Sequence, residues 1–138
     1  MEILLIEDNP VDAWITQETL SACGIPIKVH YLPEGEAALG FLNQVAPFQA
    51  AVTPDLILLD LHMTGMGGVE FLKNVKNVPR LKNIPVVILS TSSHPKDIEE
   101  TYQFKAIAYL NKPIQLEEIV LILNNLPIFS PRVKLIMD

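Results

Sequence analysis

Four aliphatic residues in unbroken succession, Leu56, Ile57, Leu58 and Leu59, stand between Pro54-Asp55 and Asp60. A run this short and this apolar suits a central strand covered on both faces, because a strand with one wet face would alternate polar and apolar residues. Similar short runs recur at residues 2–7 (EILLIE), where about five strand residues end in two acids, and at 27–32, 85–89 and 107–110. Segments of helical period separate them. Asn9-Pro10 opens the first helix, with Val11, Ile15, Thr19 and Ala22 near one face until Gly24-Ile25-Pro26 stops it. Residues 34–45 follow as a second helix with Ala37, Ala38, Phe41, Leu42 and Val45 inward, and 46–54 read as a longer connecting loop. A Gly-rich turn at 64–68 leads to a third helix at 69–77, Pro95 opens a fourth, and 116–126 form a fifth. Five strands, each followed by a helix, predict an α/β fold. It is a doubly wound (βα)5 parallel sheet, since right-handed crossovers leave few other topologies. Ligands of such sheets sit beyond the carboxyl ends of the strands, near the switch in strand order.

Composition narrows the class. With 138 residues and 49% of them apolar, the chain is large enough for one domain with its own core. The single cysteine, Cys23, reads as an inert core residue, rules out an internal disulfide or cysteine-based zinc site, and suits a reducing cytoplasm. No run approaches the ~18 consecutive apolar residues of a membrane span, and MEILLIEDNP has neither a basic leader nor a cleavage site. A soluble cytoplasmic protein without membrane contact is therefore expected. A formal charge of −6 argues against direct nucleic-acid binding, which needs clustered Lys and Arg. The basic group Lys73, Lys76, Arg80 and Lys82 reads as a solvated helix end.

The strand ends carry the chemistry. Strand one ends at Glu7-Asp8, strand three at Asp60 and strand four at Ser90-Thr91, while strand five is followed at once by Lys112-Pro113. Three carboxylates on one sheet edge repel one another, and a hard divalent cation makes that tolerable. An all-oxygen site without Cys or His suits Mg²⁺, or Mn²⁺ in its place, and disfavours zinc. Phosphoryl transfer needs a nucleophile, charge neutralisation and in-line positioning. Asp60 on the central strand is the candidate nucleophile. Asp8 and Asp60 would bind the ion directly and Glu7 through water, with Lys112 paired to phosphoryl oxygens and the Ser90 hydroxyl donating to the same group. Singly, each of these residues is as well read as a strand terminator, a cap or a surface group; their coincidence at four strand ends is the signal.

At this point the chain resembles the receiver domains of two-component response regulators. The resemblance spans about residues 2–126 and rests on ILLIEDNP, PDLILLDLHM with Gly68, IPVVILSTS and YLNKP. It implies the flavodoxin-like strand order 2-1-3-4-5 and an aspartyl-phosphate at Asp60. It also implies Mg²⁺ held by Glu7, Asp8, Asp60 and the backbone carbonyl of His62, a switch hydroxyl at Ser90, the family's invariantly placed lysine at Lys112 and a cis Lys112–Pro113 bond. Tyr109 would be the aromatic switch whose ring turns inward as Ser90 moves. The implied partner is a histidine kinase. A narrower similarity, to stand-alone receivers paired with cyanobacterial phytochrome kinases, points to a phytochrome. One departure is that the turn after the acceptor, commonly Met-Pro-x-Met-Asp-Gly, reads Met63-Thr64-Gly65-Met66-Gly67-Gly68 here. Losing Pro and gaining Gly should loosen it by about 1 kcal/mol per change through chain entropy. His62 and Ser92 lie where the family tunes phosphoryl lifetime.

Residues 1–126 are expected to form the receiver and 127–138 a C-terminal extension for dimerisation or packing. No second domain is expected after helix five, so the signal would leave through a surface. The fifth helix has Leu116, Ile119, Val120 and Leu123 at core spacing, with Leu121, Ile122 and Leu126 widening the apolar arc, and Ile128, Phe129, Val133, Leu135, Ile136 and Met137 follow. A homodimer through the strand-four to helix-five face and the tail is the expectation. Two rival functions are weaker. A haloacid-dehalogenase-type phosphatase needs an acid two residues after its nucleophile, where His62 stands. A phosphorylation-independent receiver-fold binding protein would not require the strand-end set. Enzymatic activity on a separate substrate is not expected, only self-phosphotransfer and self-dephosphorylation.

Overall fold

The computed structural model describes residues 1–126. Its strands are β1 (Glu2–Ile6), β2 (Lys28–Leu32), β3 (Leu56–Asp60), β4 (Val86–Ser90) and β5 (Ala108–Asn111). They alternate with helices α1 (Pro10–Ser21), α2 (Gly35–Leu42), α3 (Gly68–Lys76), α4 (Pro95–Gln103) and α5 (Leu116–Asn124). The five strands pair in parallel in the order β2-β1-β3-β4-β5. This is the expected doubly wound sheet, and every residue of β3 and β4 is buried, as their unbroken apolar runs require.

Side chains alternate between two cores. Leu4, Ile6, Ile57, Leu59, Val86 and Ile88 face a cluster completed by Phe41 and Leu42 of α2 and Phe71, Leu72 and Val75 of α3. Ile3, Leu5, Leu56, Leu58, Val87 and Leu89 face the other, completed by Ala13 and Leu20 of α1 and Ile119 and Leu123 of α5. The period of two is what lets each strand serve both layers.

Several expectations shift. In α1 the buried residues are Ala13, Thr16 and Leu20, while Val11 is 64% exposed and Ala22 also lies outside. Apolar residues surround this helix on several sides, and the small Ala13 and Thr16 permit the close approach to the sheet. The second helix stops at Leu42, so Val45 is 56% exposed instead of inward. Leu116 is 37% exposed, whereas Leu126, one of the residues widening the arc, is buried against the sheet. The basic group is not simply a solvated helix end. Lys76 Nζ donates to the carbonyls of Lys82 and Ile84, and Arg80 donates to the Leu42 carbonyl and Asn43 Oδ1, stitching the ends of α2 and α3. Cys23 is half-buried and unbridged at the edge of the α1 core. The expected extension at 127–138, with its dimerisation role, lies outside the described residues.

Candidate functional site

Register brings the acids together. Ile6 pairs with Leu59, so Glu7 comes level with Asp60, and Asp60 pairs with Leu89, one residue before Ser90. Glu7 and Asp60 share the parity of Leu5 and Leu58, which face α1 and α5, and Lys112 reaches them from the loop before α5. Its Nζ lies 2.5 Å from Glu7 Oε1 and 3.2 Å from Asp60 Oδ1. The bond into Pro113 is cis, as expected. Glu7 and Asp60 are buried, Asp8 is half-buried, and one carboxylate oxygen from each of the three lies within 4.8 Å of the others.

The electrostatics are those of an overfilled acidic pocket. Burial, reinforced by the neighbouring Asp60, pushes the Glu7 carboxyl up to about 7, although Lys112 and the Asn9 N–H pull it back. For Lys112, burial opposes the charged form, but the Glu7 and Asp60 carboxylates outweigh it and hold the ammonium above its usual range. One cation thus serves two buried acids, and it also sits 3.2 Å from Asp12 Oδ2. Glu7 Oε1 accepts no hydrogen bond, only this ion contact. Such an under-satisfied buried oxygen, among carboxylates that outnumber the one ammonium, fits a divalent cation bound by oxygen ligands.

Around this centre lie the remaining expected residues. Ser90 is buried, and its Oγ accepts from the Ser92 N–H at 3.0 Å. Tyr109 packs its ring against the α2–α3 core and donates its hydroxyl to the Ser92 carbonyl at 2.9 Å, so a hydrogen-bonded path runs from Tyr109 through Ser92 to Ser90. His62 turns its N–H back toward Asp60 Oδ1 at 3.4 Å, and its exposed imidazole lies 3.6 Å from Asp97 of α4. Asp97 also accepts from Ser92 Oγ at 2.7 Å. That hydrogen bond from Ser92, outweighing burial and helped by the nearby His62 and His94, holds the Asp97 carboxyl below its usual range.

Sequence reasoning missed four contributors. Asp12 sits in the first turn of α1, where the Asn9 cap places it, and that cap was legible in Asn9-Pro10. Thr64 donates its N–H and hydroxyl to Asp8 Oδ2 at 3.0 and 3.3 Å across 56 residues of chain, a contact with no local signal. Tyr31 donates to the Glu7 carbonyl at 2.8 Å and steadies the end of β1. Asn111 donates to the Ser92 carbonyl at 3.1 Å. A cavity of about 840 Å³ at the opposite end of β4 and β5, lined by Lys76, Lys82, Lys105, Ile107, Ile122 and Leu126 among others, contains no acid.

Comparison with known proteins agrees with this geometry. Residues 3–124 match the profile of the response regulator receiver domain. The response regulator Rcp1 of Synechocystis sp. is 38% identical over 117 residues, covering 85% of this chain and 80% of that protein. The crystal structure of the Mn²⁺-bound form of Rcp1 superposes with a TM-score of 0.76 at 36% identity, covering 88% of this chain and 87% of that one. That of the phosphorylated cyanobacterial phytochrome response regulator RcpA gives 0.77 at 38% identity, covering 88% and 86%.

Proposed function

The chain belongs to the response-regulator receiver family, and from that premise we propose that it is a phosphorylation switch with Asp60 as phosphoacceptor. The observation that carries this reading is Lys112 bridging the buried Glu7 and Asp60, with Asp8 alongside. Attack by an Asp60 carboxylate oxygen on a kinase phosphohistidine forms a P–O bond as the P–N bond breaks, and the departing imidazole takes up a proton. Lys112 pairs with the incoming phosphoryl oxygens and so holds them in line. Glu7, Asp8, Asp60 and the backbone carbonyl of His62 would hold Mg²⁺, with Mn²⁺ as substitute; when bound, the ion neutralises the carboxylates and the equatorial oxygens. The Mn²⁺-bound Rcp1 structure supports that choice. No separate substrate is turned over.

Ser90 passes the signal outward. When its hydroxyl turns to the phosphoryl group, the Ser92 N–H loses its acceptor, and Ser92 is the residue that anchors Tyr109, Asn111 and Asp97. Tyr109 is thus the switch aromatic, and the α4–β5–α5 surface is the output. A receiver implies a histidine kinase; similarity to Rcp1 and RcpA supports a phytochrome kinase as the partner. The cytoplasm, where such kinases present their phosphohistidine, is the proposed compartment, and among the described residues no helix is long and apolar enough to cross a membrane. Direct nucleic-acid binding is no part of the reading, given the acidic charge.

Incubation with acetyl phosphate and Mg²⁺, read on a phosphate-affinity gel, tests the assignment. A retarded band for the wild type and none for Asp60→Asn is expected. Retardation of both, or of neither, overturns it.

A further inference from the structure

Asp8 is the least buried of the three clustered carboxylates, and no cation-bearing side chain is recorded against it among the described residues. Repulsion from the neighbouring Asp60 carboxylate favours rotamers that carry it away from that group. Its orientation is instead held from the β3–α3 turn, where Thr64 directs two donors, the backbone N–H at 3.0 Å and the hydroxyl at 3.3 Å, onto Oδ2. The turn is shaped for this by Gly65, whose φ of +73° lies in the left-handed region that favours glycine.

We propose that Thr64 is a positioning residue for the cation site, holding the Asp8 carboxylate beside Glu7 and Asp60 so that an incoming divalent ion meets a formed set of oxygens. A carboxylate has about four lone-pair sites, so two donors on Oδ2 leave capacity for a cation. The hydroxyl is particular to the residue type, and the N–H is lost only to proline. Proline at 64 has no N–H to give, and only serine or threonine supplies a compact hydroxyl. Partners that orient a metal ligand in this way change affinity by roughly 10–100-fold when removed. The inference rests on the divalent-cation reading of the site.

The test is Mn²⁺ binding to the full chain, followed by the electron paramagnetic resonance of free Mn²⁺, with Mg²⁺ as competitor. Thermal melting in EDTA serves as the control for folding. Thr64→Val keeps the shape and the N–H but removes the hydroxyl, and a several-fold loss of affinity is expected. Thr64→Pro removes both donors and should lose on the order of tenfold or more. Thr64→Ser should bind within about twofold of the wild type. Should Thr64→Pro not fold, Thr64→Val against Thr64→Ser decides. Wild-type affinity in the valine and proline variants overturns the inference while leaving the cation site standing. A loss matched by an equal loss of melting temperature in EDTA overturns it as well, since the role is then structural. No Mn²⁺ binding by the wild type removes the cation reading itself, and this inference with it.

Discussion

With no divalent ion present, Glu7 prefers to keep its proton in the folded protein, its carboxyl being raised from 4.5 to about 7 by burial and by Asp60. A group raised in this way contributes stability that is complete below its unfolded value and is lost as pH climbs through the folded one. Melting temperature in EDTA should therefore fall between pH 5 and pH 8, and Glu7→Gln should flatten that fall and melt higher than wild type at pH 8. Thermal scans at the two pH values check it; an unchanged slope in the variant refutes the assignment. Because cation binding needs the carboxylate, the same shift weakens divalent-ion affinity as pH drops below about 7. That Glu7, Asp8, Asp60, Ser90 and Lys112 come together at one sheet edge was legible because each stands at or just after a strand end and the residue type alone announces charge or hydroxyl. Asp12 and Thr64 were not, because their roles come from contacts 100 and 56 residues apart in the chain.

At the level of elements, the junction of β3 and α3 decides how closely the third helix approaches Asp60, the proposed phosphoacceptor. The Gly68 N–H donates to the Leu61 carbonyl at 2.9 Å, and a Cβ at Gly68 would stand 2.7 Å from both the Asp60 carbonyl oxygen and Leu61 Cα. All of these are backbone atoms, so the helix would have to move. Gly68→Ala should destabilise by about 1–3 kcal/mol, the overpacking cost outweighing the better helix propensity of alanine. It should also slow phosphorylation by displacing Asp60. Denaturant unfolding with acetyl-phosphate kinetics measures both, and a variant as stable and as fast as wild type would contradict the packing argument. Gly68 was visible in the sequence as a family position, but the reason for glycine there was not. The facing of α1 was misjudged for a related cause. Val11, Ile15, Thr19 and Ala22 have helical spacing, yet so do Ala13, Thr16 and Leu20, and only the distance to the sheet selects the second set.

For the molecule as a whole, the α4–β5–α5 side is where apolar side chains reach the surface. Tyr102 of α4, Ile107 before β5 and Leu116 and Leu121 of α5 are all exposed, Leu121 at 66%, which is the kind of apolar surface that marks association. A homodimer through this side is the expected state, with light scattering giving twice the 15.4 kDa chain mass and Leu121→Glu returning it to one. A wild-type monomer at micromolar concentration would dismiss the dimer. What the residues alone determined was the doubly wound parallel sheet and the identity of its charged edge, because short unbroken apolar runs such as Leu56–Leu59, alternating with helical segments, suit strands covered on both faces, and that pattern is local. What the tertiary structure decided was which stripe of each helix is inside, that Tyr109 links to Ser90 by way of Ser92, and that Thr64 donates to Asp8. Those depend on distances between segments far apart in the chain, and no local pattern of residues encodes such distances.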